Sequence, residues 1–129
     1  MRVASKIEEV VQKVNLAQKL ALFDEPWSPK IVADLNDAHV KVVKLDGEFV
    51  WHHHDDEDEL FLVVAGRLRM EFRDGDVVLE PGELIVVPKG VDHRPVAEGE
   101  THVVLIEPKT TLNTGNVRNE RTVEQLERV

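Results

Sequence analysis

The chain has 129 residues, of which 42% are hydrophobic and 32% charged, and its formal net charge is −9. This length predicts one domain around one core, and this composition is typical of a folded protein in water rather than of a disordered or membrane-embedded one. The acidic balance argues against nucleic acid as a partner, because phosphate binding requires clustered lysine and arginine. The sequence has no cysteine, so any metal must be bound by histidine and carboxylate.

The N-terminal segment predicts a helix. Ser5 and Glu8 have the spacing of a capping box, and apolar residues then recur at helical intervals. We expect a helical segment from about Ser5 to Phe23, which Asn15 could interrupt. Charged residues break up its apolar positions, so the segment predicts neither a signal peptide nor a membrane span, and we expect a cytoplasmic protein.

From Trp27 to Pro108 the pattern changes to short β-type runs separated by turn residues such as Asp46-Gly47 and Asp74-Gly75. The nine runs are IVADL, VKVVKL, EFVWHHH, ELFLVV, RLRMEF, DVVLE, LIVVP, HRPVA and THVVLI. Short strands at this spacing predict an all-β protein, an antiparallel sandwich or barrel. ELFLVV and LIVVP are apolar on both faces, so either the N-terminal helix or a second subunit must cover them, and a homodimer is expected.

Residues 109–129 form the predicted C-terminal tail. TTLNTGN is polar and rich in turn residues, which favours a solvated segment, with a lid over a barrel opening as the alternative. RTVEQLERV predicts a short helical turn that closes the chain.

The stretch WHHHDDEDEL holds the candidate functional residues. Side chains alternate along a strand, so His52 and His54 share one face, on which two imidazoles could bind one cation. His53 lies on the opposite face with Phe49 and Trp51, where we expect packing against a helix or a partner.

Acidic residues follow these histidines. Asp55, Asp56 and Glu57 indicate a solvated connection between two strands. Glu59 opens an apolar run, which favours a buried carboxylate and a third ligand, with Glu57 and Asp58 as weaker substitutes.

A second stretch, PGELIVVPKGVDHRPV, places His93 just after a turn at Pro88, Lys89 and Gly90. From there the following strand could cross the barrel opposite the first histidine pair.

Together these two stretches resemble the cupin superfamily, whose members are small antiparallel barrels recognised by two motifs. The first, G-x5-H-x-H-x3 or x4-E-x6-G, is matched by Gly47, His52, His54, Glu59 and Gly66, with one residue fewer before the first histidine. The second, G-x5-P-x-G-x2-H-x3-N, is matched as far as its histidine by residues that keep its spacing: Gly82, Pro88, Gly90 and His93. Ala97 replaces the final asparagine, which is not a ligand.

The resemblance implies a double-stranded β-helix, also called a jelly roll, over residues 27–108, and a metal bound by His52, His54, Glu59 and His93. The layout looks like the compact single-domain cupins called mannose-6-phosphate isomerase-like, although no cluster of lysine and arginine beside the ligand positions indicates a phosphate site. A site of three imidazoles and one carboxylate suits one divalent iron, manganese, nickel, zinc or copper ion per chain.

Three functions remain open at the level of sequence. A small-molecule enzyme could use the metal as a Lewis acid or dioxygen activator, as a dioxygenase or isomerase does, but no catalytic acid or base can be named. The alternatives are a non-catalytic module that binds or senses a small ligand, and a structural barrel without metal.

Overall fold

The computed structural model describes residues 6–129. Two short helices lie at its N-terminal end, α1 (Lys6–Val10) and α2 (Leu16–Leu20). The interruption near Asn15 that the sequence allowed is present, because residues 11–15 are not helical, and the second helix ends at Leu20 rather than near Phe23. Within the described residues, no helix is long and apolar enough to span a membrane.

Asn15 explains where the second helix begins. Its side-chain oxygen accepts a hydrogen bond from the Gln18 N–H at 3.0 Å, as an N-cap residue does. A side chain that competes for the backbone in this way ends one helix and starts another. The predicted capping box begins at Ser5, which lies outside the described residues.

Seven strands follow, and all of their pairings are antiparallel. They are β1 (Lys30–Leu35), β2 (Ala38–Glu48), β3 (Glu59–Ala65), β4 (Leu68–Phe72), β5 (Gly75–Leu79), β6 (Leu84–Val87) and β7 (His93–Pro108). Their order is β1-β2-β7-β3-β6, with β4 pairing both β7 and β5. The predicted all-β barrel is therefore confirmed.

Nine predicted runs become seven strands for two reasons. EFVWHHH is not a strand, because β2 ends at Glu48 and only His52 among residues 49–58 forms a β-bridge. HRPVA and THVVLI are two halves of one strand, the sixteen-residue β7. The residues between these halves, Glu98 and Gly99, form an irregularity inside a strand and not a hairpin turn.

Strands β2 and β7 form one long ribbon with a bend at its middle. Their register shifts between the pairs Leu45↔Thr101 and Gly47↔Ala97, so one residue of β2 faces three of β7. The backbone has positive φ at Gly47 and Gly99, at 78° and 82°, which glycine adopts without a steric penalty. Before the bend, residues 93–97 of β7 pair with β4, and after it residues 102–106 pair with β3.

The main core lies between the two halves of this bent ribbon. Its fully buried members include Val63, Leu68 and Met70. A second cluster lies on the outer face, where Leu20 and Phe23 from the α2 region pack on β2 and β7. The N-terminal helical segment therefore covers part of the apolar outer surface, one of the two covers that the sequence left open.

The C-terminal tail corrects two expectations. Thr111 and Thr114 are buried, so the TTLNTGN segment packs on the barrel and is not a solvated tail. RTVEQLERV contains turns and no helix. Its backbone groups bond elsewhere: the Asn113 side chain bonds to the Arg121 carbonyl and to the Val123 N–H, and residues 127–129 pair with β1.

Gly66 allows β3 to pass close to the ribbon bend, and this contact generates a prediction. A Cβ at Gly66 would lie 2.6 Å from Thr101 Oγ1 and 2.8 Å from the Glu100 carbonyl oxygen. We expect Gly66→Ala to lower the free energy of unfolding by about 3 kcal/mol, measured by urea denaturation, because a backbone atom cannot move aside cheaply.

Gly99→Ala is the matched control. Its φ is close to that of Gly66, but a Cβ there would meet no atom within 4 Å. We expect a loss of only about 1 kcal/mol, from the positive φ alone. Equal losses in the two variants would contradict the assignment of a steric role to Gly66.

Candidate metal centre

Residues 49–58 are extended but bond to several different segments at intervals. His52 exchanges two backbone hydrogen bonds with His93, at 3.0 and 2.9 Å, and the His54 carbonyl accepts one from Gly90 N–H. On the other side, the His53 N–H donates to the Asn116 side chain. These contacts fix the segment against the start of β7 without the ladder of a regular strand.

The structure places the three histidines as strand alternation predicted. The His52 and His54 side chains are buried, whereas that of His53 is 29% exposed and lies between Asp55 and Asp92, 3.0 and 2.9 Å away. The hydrogen bond to His53 lowers the pKa of Asp92. His53 is thereby engaged away from the interior.

Phe49 and Trp51 have environments that alternation alone does not give. Phe49 is buried and stacks on Trp27 with a centroid separation of 4.7 Å, so its expected outward position is wrong. The reason is that regular pairing stops at Glu48 and the next residues turn inward. Trp51 faces outward, where the Arg73 guanidinium lies 3.9 Å from its ring centroid, in place of the expected helix or partner.

Four side chains converge in the interior. Glu59 is the first residue of β3 and His93 the first of β7, and both are buried beside His52 and His54. One ligand atom from each of the four lies within 4.8 Å of the others. Glu57 and Asp58, the substitutes considered for Glu59, do not belong to this group, which is the one such group within residues 6–129.

Two of the imidazoles are oriented by backbone carbonyls. His52 Nδ1 lies 2.9 Å from the Val50 carbonyl oxygen, and His93 Nδ1 lies 2.9 Å from that of Val91. Since a carbonyl can only accept, Nδ1 must donate in both rings, and Nε2 keeps its lone pair. This arrangement is the one that commonly orients histidine ligands in metal sites.

The nitrogen and oxygen atoms that face the centre lack hydrogen-bond partners. Glu59 Oε1 lies 2.8 Å from His54 Nε2 and 3.2 Å from His93 Nε2, but neither approach has hydrogen-bond geometry. All three atoms are buried without a hydrogen-bond partner. Buried polar atoms are normally satisfied, so a common cation is the group that these four residues fit.

The pKa shifts of His52 and Glu59 favour the protonation states that metal binding requires. Burial and the neighbouring His93 together lower the pKa of His52 to about 4, so the ring is neutral near pH 7. Burial opposes ionisation of Glu59, but the close approach of the Glu107, His54 and His93 side chains outweighs it, and the pKa of Glu59 lies well below the usual value. Neutral imidazoles and an ionised carboxylate are the forms that bind metal.

Two further buried residues adjoin Glu59. Lys41 Nζ lies 2.7 Å from Glu107 Oε1, and each side chain is 2% exposed. Burial and the negative charge of Glu59 hold the pKa of Glu107 well above its usual value, although Lys41 lowers it.

A small cavity of about 40 Å³ opens beside the four residues. Its polar lining comes from His52, Glu59, Glu107 and Asn113, and its walls are mostly apolar. The apolar lining residues are Trp27, Pro29, Val43, Leu45, Phe49, Phe61, Pro95 and Leu105. Apolar walls with a few polar groups are typical of small-molecule sites, but the volume is well below the roughly 300–1,000 Å³ of such pockets, so only a few heavy atoms fit.

The sequence family follows from a direct match. The profile of the cupin domain matches residues 39–108, which contain all four converging side chains. The chain belongs to the cupin family.

Relatives of this cupin include solved and curated proteins. It is 45% identical to a cupin-2 domain containing protein from Shewanella frigidimarina, whose crystal structure superposes with a TM-score of 0.75 over 80% of this chain and 99% of that one. It is 37% identical to the uncharacterized protein YdbB of Bacillus subtilis, over 60% of this chain and 70% of that protein. It is also 34% identical to the acireductone dioxygenase of Bacillus licheniformis, over 58% of this chain but only 45% of the dioxygenase.

Sequence reasoning missed the Lys41–Glu107 pair of this cupin. The available signal was that each interrupts a run of apolar strand residues, VKVVKL and THVVLIEP. A charge in such a run indicates either the solvent face or a buried pair, and only the pairing of β2 with β7 decides between them.

The opposite orientations of neighbouring histidines generate a prediction. We expect His52→Ala and His93→Ala each to lose most of the bound metal, because each removes one of four converging ligands. His53→Ala is the matched control from the same segment, and its metal content should equal that of the unmodified protein. The measurement is the metal content per chain, determined by mass spectrometry on protein purified without a histidine tag. Loss of metal in His53→Ala would contradict the assignment of the ligands.

Proposed function

We propose that this cupin is a metal-dependent enzyme that acts on a small molecule. One divalent transition metal per chain would be bound by His52, His54, Glu59 and His93. The observation that carries the proposal is the convergence of three buried atoms without hydrogen-bond partners, His54 Nε2, Glu59 Oε1 and His93 Nε2. When bound, a divalent transition metal supplies a Lewis acid with open coordination positions, or a site for dioxygen.

The remaining residues of the cavity would bind and orient the substrate. Trp27 and Phe49 form a stacked wall that excludes water from the site. The Asn113 amide offers one donor and one acceptor at the cavity surface. Glu107 lies in the cavity with Glu59, and burial raises the pKa of its carboxyl group, which gives it the right chemistry to act as an acid there.

The lining argues for an uncharged or weakly charged substrate. Among the described residues, no lysine or arginine lines the cavity, and the nearby Lys41 is bound to Glu107. A sugar phosphate, the substrate that a mannose-6-phosphate isomerase-like label would suggest, therefore lacks a cationic partner here. Oxygen-dependent chemistry is the first reaction to test, since one relative is named a dioxygenase.

The decisive experiment combines metal analysis with oxygen uptake. We expect about one transition metal ion per chain after anaerobic reconstitution with Fe(II), and oxygen consumption with at least one member of a library of small enols, phenols and hydroxyketones. The His52→Ala variant is the negative control. Less than about 0.1 metal per chain after reconstitution would contradict metal binding, and tight ligand binding without turnover would favour a non-catalytic binding module.

We also propose that the protein forms a homodimer through the outer face of β3 and β6. Leu84 and Val86 are 54% and 53% exposed, and they pair with Leu62 and Leu60 on the neighbouring strand. β6 is an edge strand, so a second copy can cover these side chains.

A charge on this face tests the dimer. We expect Leu84→Glu to shift the protein from dimer to monomer in sedimentation velocity, because a buried carboxylate without a partner is strongly unfavourable. Val77→Glu is the control on β5, where the side chain is 40% exposed and lies outside this face. A monomer in the unmodified protein, or a dimer unaffected by Leu84→Glu, would contradict the proposal.

A further inference from the structure

The segment that carries the histidines is bonded along both of its edges. On one edge His52 exchanges two backbone hydrogen bonds with His93. Successive residues of an extended segment present their backbone groups to opposite edges, and on the other edge Asn116 bonds to both groups of His53. Asn116 Oδ1 accepts from the His53 N–H at 2.9 Å, and the Asn116 N–H donates to the His53 carbonyl at 3.0 Å. A residue of the C-terminal tail thus takes the place of a neighbouring strand.

The two groups that Asn116 bonds belong to the peptide units that connect two of the converging histidines. The His53 N–H lies in the peptide unit between His52 and His53, and the His53 carbonyl lies in the unit between His53 and His54. Because peptide units are planar, only φ and ψ of His53 can turn one unit relative to the other. Hydrogen bonds to both units therefore fix the direction of the His52 side chain relative to that of His54.

Gly115 brings the tail into direct contact with the same segment. A Cβ at this position would overlap the His53 carbonyl oxygen and would lie 3.1 Å from Cδ2 of the His52 ring. Only a residue without a side chain permits this approach. The neighbouring Thr114 is fully buried, and its hydroxyl oxygen lies 2.7 Å from that of Thr122, so the tail is fixed at this point.

We infer that Gly115 and Asn116 form a positioning element of the metal centre, which holds the peptide units between His52 and His54 so that both imidazoles face one ion. The inference rests on the proposed metal site, because it takes these histidines as ligands. Neither tail residue belongs to the group of four converging side chains. Both lie beyond residue 108, where the match to the cupin profile ends, so membership of the family does not assign them this role.

The location of the four side chains in the fold shows why such an element is needed. Glu59 and His93 begin the regular strands β3 and β7, whereas His52 and His54 belong to no strand. Their positions depend on isolated backbone bonds, which on the β7 side are those of His52 with His93 and of the His54 carbonyl with the Gly90 N–H. Contacts that orient metal ligands commonly contribute about 10- to 100-fold to metal affinity.

Zinc affinity of tail variants tests the inference without reference to activity. Zn(II) is titrated in competition with a chromophoric chelator, and the visible absorption of bound Co(II) reports the ligand geometry. Asn116→Ala changes an exposed residue, so we expect it to fold. It should lose about tenfold in zinc affinity and alter the Co(II) spectrum, because the His53 N–H loses its acceptor. Asn116→Asp keeps an acceptor oxygen there and should retain at least the affinity of the unmodified protein.

Asn119→Ala is the matched control from the same tail. Asn119 Oδ1 accepts the Arg121 N–H at 2.9 Å, so this change also removes a bond between an asparagine side chain and a backbone N–H, but one that does not involve the histidines. Its zinc affinity should equal that of the unmodified protein. Equal losses in Asn119→Ala and Asn116→Ala would show that loosening of the tail alone weakens the site, and they would overturn the inference.

A steric variant tests the contact of Gly115. Gly115→Ala would force the tail away from the His53 carbonyl and should lose about 10- to 100-fold in zinc affinity. Gly82→Ala is its control, because Gly82 also has a positive φ, 87°, but a Cβ there would meet no atom within 4 Å. If Gly115→Ala does not fold, Asn116→Ala decides. Unchanged affinity in Asn116→Ala, or in folded Gly115→Ala, overturns the inference alone, whereas an unmodified protein that takes up no zinc overturns the proposed function with it.

Discussion

The bend in the β2–β7 ribbon is the constraint on which the site depends. His93 and Glu107 are the first and the fifteenth residues of one strand, which would lie about 46 Å apart if the strand were straight. His93 Nε2 nevertheless lies 3.2 Å from Glu59 Oε1, and Glu107 lines the same cavity as Glu59. The irregularity opposite Asp46 bends the ribbon and brings both of its ends to this cavity.

In this architecture, backbone groups and side chains have different roles in orienting the residues of the site. Backbone hydrogen bonds join His52 to His93, and backbone carbonyls orient both rings. Glu59 has no such backbone restraint among its contacts, and the polar group beside it is a second carboxyl. The rings of His52 and His93 are thus oriented by the backbone, whereas the side-chain contacts of Glu59 are with His54 and His93.

The family, the antiparallel barrel and the identity of the converging side chains could be predicted from sequence, because two motifs with fixed spacing fall where tight turns end. Alternation correctly separated His53 from its neighbours. Alternation gave the wrong orientation for Phe49. Side chains alternate between the two faces only while a strand is regularly paired, and the pairing of β2 stops at Glu48. The sequence also did not show that two predicted strands form the single strand β7, because a glycine with positive φ occurs both in hairpin turns and in bulges.

The N–H and C=O groups of RTVEQLERV show a similar limit. Asn113, which lies eight and ten residues before Arg121 and Val123, and the distant strand β1 bond to them, so local propensity for a helix did not decide the outcome. The direct backbone bridge between His52 and His93 has a kinetic consequence as well. These two residues can meet only after a loop of about forty residues closes and β7 pairs with strands distant in sequence, which are slow steps in folding. Until then the chain presents His52 and His54 as an isolated pair, and the group of four converging side chains is complete only in the folded barrel.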